Sequence, residues 1–398
     1  MFIDAHTHLG LNDFCDTNTV PFKYDLVNKP DDFIKFMNEN GIDKAVILPI
    51  PGNNYNSLRS NKYLQDAVTR FPDRFIPFCK FDNNLSINLT ANGFYGAKFH
   101  VVYEKYKSND LELYYKTLEY YGCPLIIHAK FTNKGEQIKK ILEIAPNLKI
   151  ILAHMGRGHI YTDEMVEDLL NEFKDYNNVY FETSTVGRSR VIEMACKIIG
   201  SKRLMFGSDY PFGKAWFKDA FFYKDEIEPI LDARISNVDR TWIFSETINT
   251  LIADVDKRRN EFYVRPMIDK DKSILLNGLL NLSVEDKKLL ALDKKIQLIK
   301  GCIRNHKHIY VGVLKDKIIG FFRESGRTNN EYMLEELVVF DDYKEHGFAS
   351  KMMDFYVTFF PKSMVKTSAK NAVMIHILKK HGFLEKNIGQ RIISWWRE

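Results

Sequence analysis

From its first residues, the chain alternates short runs rich in β-branched and aromatic residues with longer segments able to form helices, and this order limits the fold more than any other feature. The runs fall at Phe2–Ala5, Lys44–Ile50, Phe75–Lys80, Gly96–His100, Leu125–Ala129, Ile150–His154, Val179–Ser184 and Leu204–Asp209. Strands joined by helical crossovers lie parallel, because each crossover carries the chain back to the end of the sheet where the previous strand began. Eight such units over roughly 250 residues predict a TIM-type (β/α)8 barrel.

Beyond the barrel the order of elements changes. A helix over Asp239–Ile252 is expected to finish it, and the charged stretch Asp254–Asn260 reads as a solvated junction. A lysine-rich helical region follows through Lys300, then a hairpin of His308–Leu314 and Lys317–Arg323 turning at Lys315-Asp316. A strand at Leu334–Phe340 and helices from Gly347 and Asn371 complete a smaller α+β unit. The expected domains are therefore a barrel over 1–252, a linker over 253–261 and a second domain over 262–398. A chain of 398 residues is long enough for two such cores.

Composition narrows the class. The net charge of +5 is spread along the chain, which argues against nucleic acid or a bilayer as the main partner. Asp4 arrives too early for a signal peptide and no apolar run is long enough to span a membrane, so a cytoplasmic enzyme acting on small molecules is expected. Assembly into a homo-oligomer stays open. The five cysteines are dispersed without a CxxC pair, which predicts buried thiols rather than disulfides or a zinc finger.

The chemistry concentrates at strand ends. In His6-Thr7-His8 alternate side chains share a face, so two imidazoles can converge on one ion. That pattern alone is weak. His128, His154 and Asp209 close three further strands, and barrel sites are built at the C-terminal ends of strands. Histidine and aspartate are also poor barrel fillers. Candidate ligands of a first metal are His6, His8, His128 and Asp209, with His154 as a second-metal ligand or as the group that orients water. Zinc suits a mixed His/Asp set, and manganese or iron would fit it as well. An ion with one open position lowers the pKa of bound water to about 7.

His6-Thr7-His8, Ile127-His128-Ala129, Leu152-Ala153-His154-Met155-Gly156 and Phe206-Gly207-Ser208-Asp209-Tyr210-Pro211 resemble the amidohydrolase superfamily, nearest to its branch of small-molecule hydrolases and metal-dependent decarboxylases. The resemblance covers residues 1–252, including the closing helix with Asn249. It implies a metal-activated water as nucleophile and a strand-eight aspartate, Asp209, that binds metal and shuttles a proton. In binuclear members a strand-four lysine is carbamylated and bridges two ions. Lys98 stands at that place, as such a bridge, as a cation for a substrate carboxylate, or as a surface lysine. His100 shares its face and is not counted as a ligand. Arg157, His159, Arg188, Arg190, Phe212 and Trp216 in the following loops suggest a small anionic ligand with an apolar part.

Residues 262–398 resemble the GNAT acyltransferases, beginning with Tyr263-Val264-Arg265-Pro266-Met267. Leu337-Val338-Val339 leads into Lys344-Glu345-His346-Gly347-Phe348-Ala349, which matches that family's phosphate loop except for Lys344 at its first position. Free amides at a helix start can cradle a pyrophosphate. Asn371 and His381-Gly382-Phe383 match its later segment. The resemblance implies acetyl-coenzyme A bound by Val338, Val339, Lys344, His346, Gly347, Phe348, Ala349, Ser350 and Asn371. Glu335 or Glu336 would deprotonate an amine through water, while the tyrosine that often protonates the thiolate falls at Leu378. Two readings of the whole follow. One is a bifunctional hydrolase and N-acetyltransferase; the other is a hydrolase regulated by an acetyl-coenzyme A-sensing domain. A non-oxidative decarboxylase is the chemical alternative for the barrel.

Overall fold

A computed structural model describes residues 1–10, 28–51, 56–81, 89, 92–101, 104, 107–129, 134–157, 161–212, 223–305, 308–326, 331–388 and 392–397. His159, Trp216 and Cys15 lie outside these, as does the side chain of Arg157. The chain divides into two compact units, Met1–Asp256 and Lys257–Glu398.

In the first unit eight parallel strands follow one another in chain order: β1 (Ile3–Leu9), β2 (Lys44–Pro49), β3 (Phe75–Lys80), β4 (Gly96–His100), β5 (Leu125–His128), β6 (Ile150–Leu152), β7 (Val179–Glu182) and β8 (Leu204–Met205). The segment after β8 bonds back to β1, through Ala5 N–H to the Phe206 carbonyl at 2.8 Å, Asp209 N–H to His6 at 2.8 Å and His8 N–H to Tyr210 at 2.7 Å. The eight strands therefore form a nearly closed barrel, as the alternating order predicts. Ile3, Ala5, Val46, Leu48, Ile76, Phe78, Ile126, Ile151, Ala153 and Met205 form one buried cluster with Ile248 and Leu251. Each of these side chains larger than alanine contributes ~1.5–3 kcal/mol on burial, so the strand ends rest on a rigid floor.

The surrounding helices are amphipathic and capped. Ser189–Ile199 buries Val191, Ile192, Ala195 and Ile199, one stripe of a 3.6-residue period. The Asn56 and Thr162 side chains accept the Arg59 and Met165 amides at the starts of Ser57–Arg70 and Asp163–Glu172.

The end of the barrel departs from expectation. In place of one helix over Asp239–Ile252 there are Asn237–Thr241, a π-helical stretch Trp242–Glu246 and a helix Thr247–Asn260. The charged stretch expected as linker is thus helical through Asn260. Val255 is buried, and Lys257, Arg258 and Arg259 fall in the last turn, where cations favour a helix. The thiols also differ: Cys79 and Cys123 are buried, but Cys196 and Cys302 are only half-buried.

The second unit is built on a seven-stranded mixed sheet in the order β14-β15-β13-β12-β11-β10-β9. These are β9 (Phe262–Pro266), β10 (Ile309–Leu314), β11 (Lys317–Gly326), β12 (Tyr332–Val339), β13 (Ser363–Ser368), β14 (Leu384–Ile388) and β15 (Ile392–Arg397). The hairpin turns at Lys315 and Asp316, whose φ values of 47° and 63° suit the twist of the flanking strands. Parallel β12 and β13 pair only over Tyr332–Leu334 and Ser363–Val365, then part. The β11–β12 register shifts between Arg323↔Glu336 and Glu324↔Leu334, leaving Glu335 as an extra residue beside the point of parting. Among the described residues no helix is long and apolar enough to cross a membrane.

Candidate metal centre

Three ligand atoms meet at the mouth of the barrel. His6 Nε2 lies 3.3 Å and His8 Nε2 3.2 Å from Asp209 Oδ1. Two ligands ~2.1 Å from one tetrahedral ion lie roughly 3.4 Å apart, so these separations fit a shared cation. His6, His8 and Asp209 form a group able to hold a metal ion. His154 Nε2 is 4.0 Å from Asp209 Oδ2.

The tautomers support the same site. His8 Nδ1 lies 2.8 Å from the Pro49 carbonyl, which only accepts, so Nδ1 carries the proton. His6 Nδ1 lies 2.7 Å from Glu182 Oε2. In both rings Nε2 therefore faces the Asp209 carboxylate, an approach that calls for positive charge beside it. Burial, then Lys98, push the His6 pKa well below its usual value. Burial opposes ionisation of Asp209, but His6, His154 and His8 outweigh it and hold this carboxyl well below its ordinary range. Imidazoles gathered around an ionised carboxylate make a donor set for a divalent cation.

The backbone is strained here. His154 and Asp209 have φ values of 58° and 56°, in the left-handed region that side chains with a Cβ rarely occupy. Such conformations persist where surrounding structure enforces them, and they cluster at functional sites.

Lys98 points into the centre. Its Nζ is 3.1 Å from His6 Nε2, and burial pushes its pKa down to about 8 despite Asp209, Glu182 and Glu104. The surface reading of Lys98 is thereby overturned, since the residue is buried. His128, expected as a ligand of the first ion, is not in the three-residue group. Its Nδ1 bonds His154 Nε2 at 3.1 Å and its ring stacks on His100 at 3.9 Å. Arg188 and Arg190, expected to face an anion, bond Asp163 at 3.2 and 3.3 Å. Phe212 meets the His8 ring edge-on at 4.8 Å.

Several site residues escaped the sequence reading. Glu182 is fully buried at the end of β7. Gly207 makes room for it: a Cβ there would lie 2.3 Å from Glu182 Oε1 and 2.7 Å from the His6 Cβ. Lys80 and Glu104 form a buried pair at 3.4 Å, with Lys80 in register beside Lys98. Asp4 accepts from the Ser208 hydroxyl at 2.6 Å and the Tyr223 hydroxyl at 3.0 Å, tying β1 to the Asp209 segment. The available signal was period-two alternation: Tyr180 and Glu182 share a face, as do Phe78 and Lys80.

Glu226 accepts the Thr185 N–H at 2.7 Å, and burial pushes its pKa up to about 8. A carboxyl that binds its proton more tightly when folded costs stability as pH rises from about 4.5 through about 8. Glu226→Gln keeps an acceptor for Thr185. In thermal melts from pH 5 to 9 the variant is expected to gain on the parent as pH rises, with no further gain well above pH 8.

In the second unit four of the expected cofactor residues, Gly347, Phe348, Ala349 and Ser350, form one helix start. Gly347, at φ 76°, precedes the helix Phe348–Phe359, whose first turn holds Phe348, Ala349 and Ser350. Val338 is buried in the core and Val339 ends β12. Lys344 is tied to Asp286 and to Asp341 at 2.5 Å. The His346 ring lies 6.1 Å from Phe348, and Ser350 accepts from Lys380 at 2.9 Å. The Asn371 side chain caps Ala372–Lys380 through the Met374 amide at 3.0 Å. Leu378 is fully buried.

The two glutamates separate. Glu336 is buried in a two-pronged pair with Arg323 at 2.6 and 3.1 Å and a bond from Lys295 at 3.2 Å, which makes it a counter-ion rather than a base. Glu335 accepts from Ser325 at 2.8 Å and keeps partial exposure.

Comparison with known proteins follows the two units. Residues 3–248 match the amidohydrolase family model, and residues 277–383 match that of the acetyltransferase (GNAT) family. No curated protein matches the chain. Among solved structures, a probable 2-pyrone-4,6-dicarboxylic acid hydrolase from Acinetobacter baumannii with citric acid bound is 17% identical with a TM-score of 0.53, over 63% of this chain and 99% of that one. A Pseudomonas putida structure given the same hydrolase name is 16% identical with a TM-score of 0.51, over 64% and 97%. A 2,6-dihydroxybenzoate decarboxylase from Rhizobium is 17% identical with a TM-score of 0.49, over 63% and 98%. At such identities the likeness concerns the fold.

Proposed function

The chain belongs to the amidohydrolase family, and from that premise we propose that its barrel is a metal-dependent hydrolase of a C–N or C–O bond in a small anionic molecule, and its second domain an acetyl-coenzyme A-dependent N-acetyltransferase. The observation that carries the first half is the meeting of His6 Nε2, His8 Nε2 and Asp209 Oδ1 at 3.2–3.3 Å. These three residues would hold the ion, and zinc suits them best. A divalent cation bound there supplies a Lewis acid and lowers the pKa of water.

The remaining roles belong to the chain itself. Asp209 takes a proton from the attacking water and returns it to the departing nitrogen or oxygen. His154, across a 4.0 Å gap from Asp209 Oδ2, orients that water. Lys98 holds the substrate's anionic group, and Phe212 offers it an apolar wall. In the second domain the first-turn amides after Gly347 receive the pyrophosphate, and Glu335 takes the amine proton. Buried Leu378 favours a second reading, in which this domain binds acetyl-coenzyme A without turnover and sets the rate of the barrel.

Protein purified without chelators tests both halves. About one ion per chain is expected, together with turnover of carboxylate-bearing amides, esters or lactones. Carbon dioxide release without hydrolysis would replace the hydrolase by a decarboxylase, and absence of bound metal would remove the first half. Acetyl-coenzyme A that binds without acetylating a broad amine panel would favour the regulatory reading.

A further inference from the structure

His6 and His154 turn Nε2 toward the Asp209 side of the centre, and their other nitrogens converge as well. His6 Nδ1 lies 2.7 Å from Glu182 Oε2, and the Ser184 hydroxyl donates to the same oxygen at 2.8 Å. With its proton committed to Glu182, Ser184 Oγ can only accept from His154 Nδ1, 2.7 Å away. The Glu182 carboxylate also takes the His154 amide at 3.1 Å and the Ser184 amide. Five donors thus belong to one ordered network around a side chain with no solvent exposure.

Glu182 could be read instead as a metal ligand, since it groups with His6 and His154. The distance decides against this. Two ligands of one ion stand roughly 3.4 Å apart, whereas 2.7 Å is the length of a charge-assisted hydrogen bond. The space is also closed by Gly207, where even a Cβ would collide with Glu182.

We propose that Glu182 is a positioning residue that sets the tautomers of both His6 and His154, the first directly and the second through Ser184, so that the His6 Nε2 lone pair faces Asp209 and that of His154 is left to accept from His128 Nδ1. The inference rests on the metal reading for its consequence but not for its geometry. A carboxylate behind a ligating histidine fixes its ring and raises its basicity, and losing such a partner typically weakens metal binding by about 10–100-fold. The amide of Glu182→Gln would turn an N–H group toward donors, while Ser184→Ala removes only the link to His154.

The test uses the full chain with 15N-labelled histidine, the rings assigned by single His→Asn variants, before and after zinc. In metal-free parent protein, His6 and His154 are expected with the proton on Nδ1. Glu182→Gln should scramble both and weaken zinc binding about 10–100-fold in a chelator competition; Ser184→Ala should scramble His154 alone. Unchanged tautomers in Glu182→Gln would overturn the proposal, and so would Ser184→Ala leaving His154 as it was. Should Glu182→Gln fail to fold, the Ser184→Ala result decides. If the parent shows these tautomers yet binds no zinc, the metal reading falls while the positioning role stands.

Discussion

His8→Ala is expected to take the metal content from about one ion per chain to near none, and hydrolysis down by on the order of a thousandfold or more. The His8 ring is aimed by its bond to the Pro49 carbonyl, and its Nε2 is one of two nitrogens facing Asp209 Oδ1. Its removal leaves His6 and Asp209, too few to hold a divalent ion against water. The measurement is metal per chain after dialysis against metal-free buffer, with Lys98→Ala beside it. Lys98 Nζ touches His6 Nε2, so a cationic lysine serving the substrate predicts that Lys98→Ala keeps its single ion. Loss of a second ion in that variant would show a carbamate bridge. Full metal retention in His8→Ala would overturn the assignment of the centre.

Glu336→Ala is expected to destabilise the second unit by ~3–5 kcal/mol, lowering its melting temperature by roughly 10–20 °C. The loss comes from Arg323, buried and left without the two-pronged partner it bonds at 2.6 and 3.1 Å. Glu335→Gln should behave in the opposite way. Glu335 meets Arg323 and Lys295 only at 3.7 and 3.9 Å and is partly exposed, so its loss should barely move the melt while lowering acetyl transfer by about 10²–10⁴-fold. Thermal melts and acetylation rates on the two variants separate these roles. Equal stability with lost transfer in Glu336→Ala would restore it as the base.

The two glutamates show why part of the site was illegible in the sequence. They are neighbours in β12 and both come within 3.9 Å of Arg323 and Lys295, and only the tertiary contacts show Glu336 taking the two-pronged bond while Glu335, the extra residue of the bulge, accepts from Ser325. His128 shows the same limit. It ends β5 as the barrel pattern requires, but its stacking on His100 and its bond to His154 are contacts that no one-dimensional pattern carries. Glu182 was discernible in principle, since an acidic residue is as poor a barrel filler as a histidine and shares a face with Tyr180.

The sequence by itself determined the order of eight strands, the two folds in series and the set of strand ends that bear nitrogen and carboxylate donors. Hydrophobic periodicity and turn chemistry are local, so they survive in one dimension. Tertiary structure alone decided which donors meet, which nitrogen of each histidine is turned inward, and which charged side chains are committed to counter-ions. Those outcomes depend on contacts between residues such as His6 and Glu182, or His8 and Pro49, far apart along the chain and adjacent only once the barrel closes.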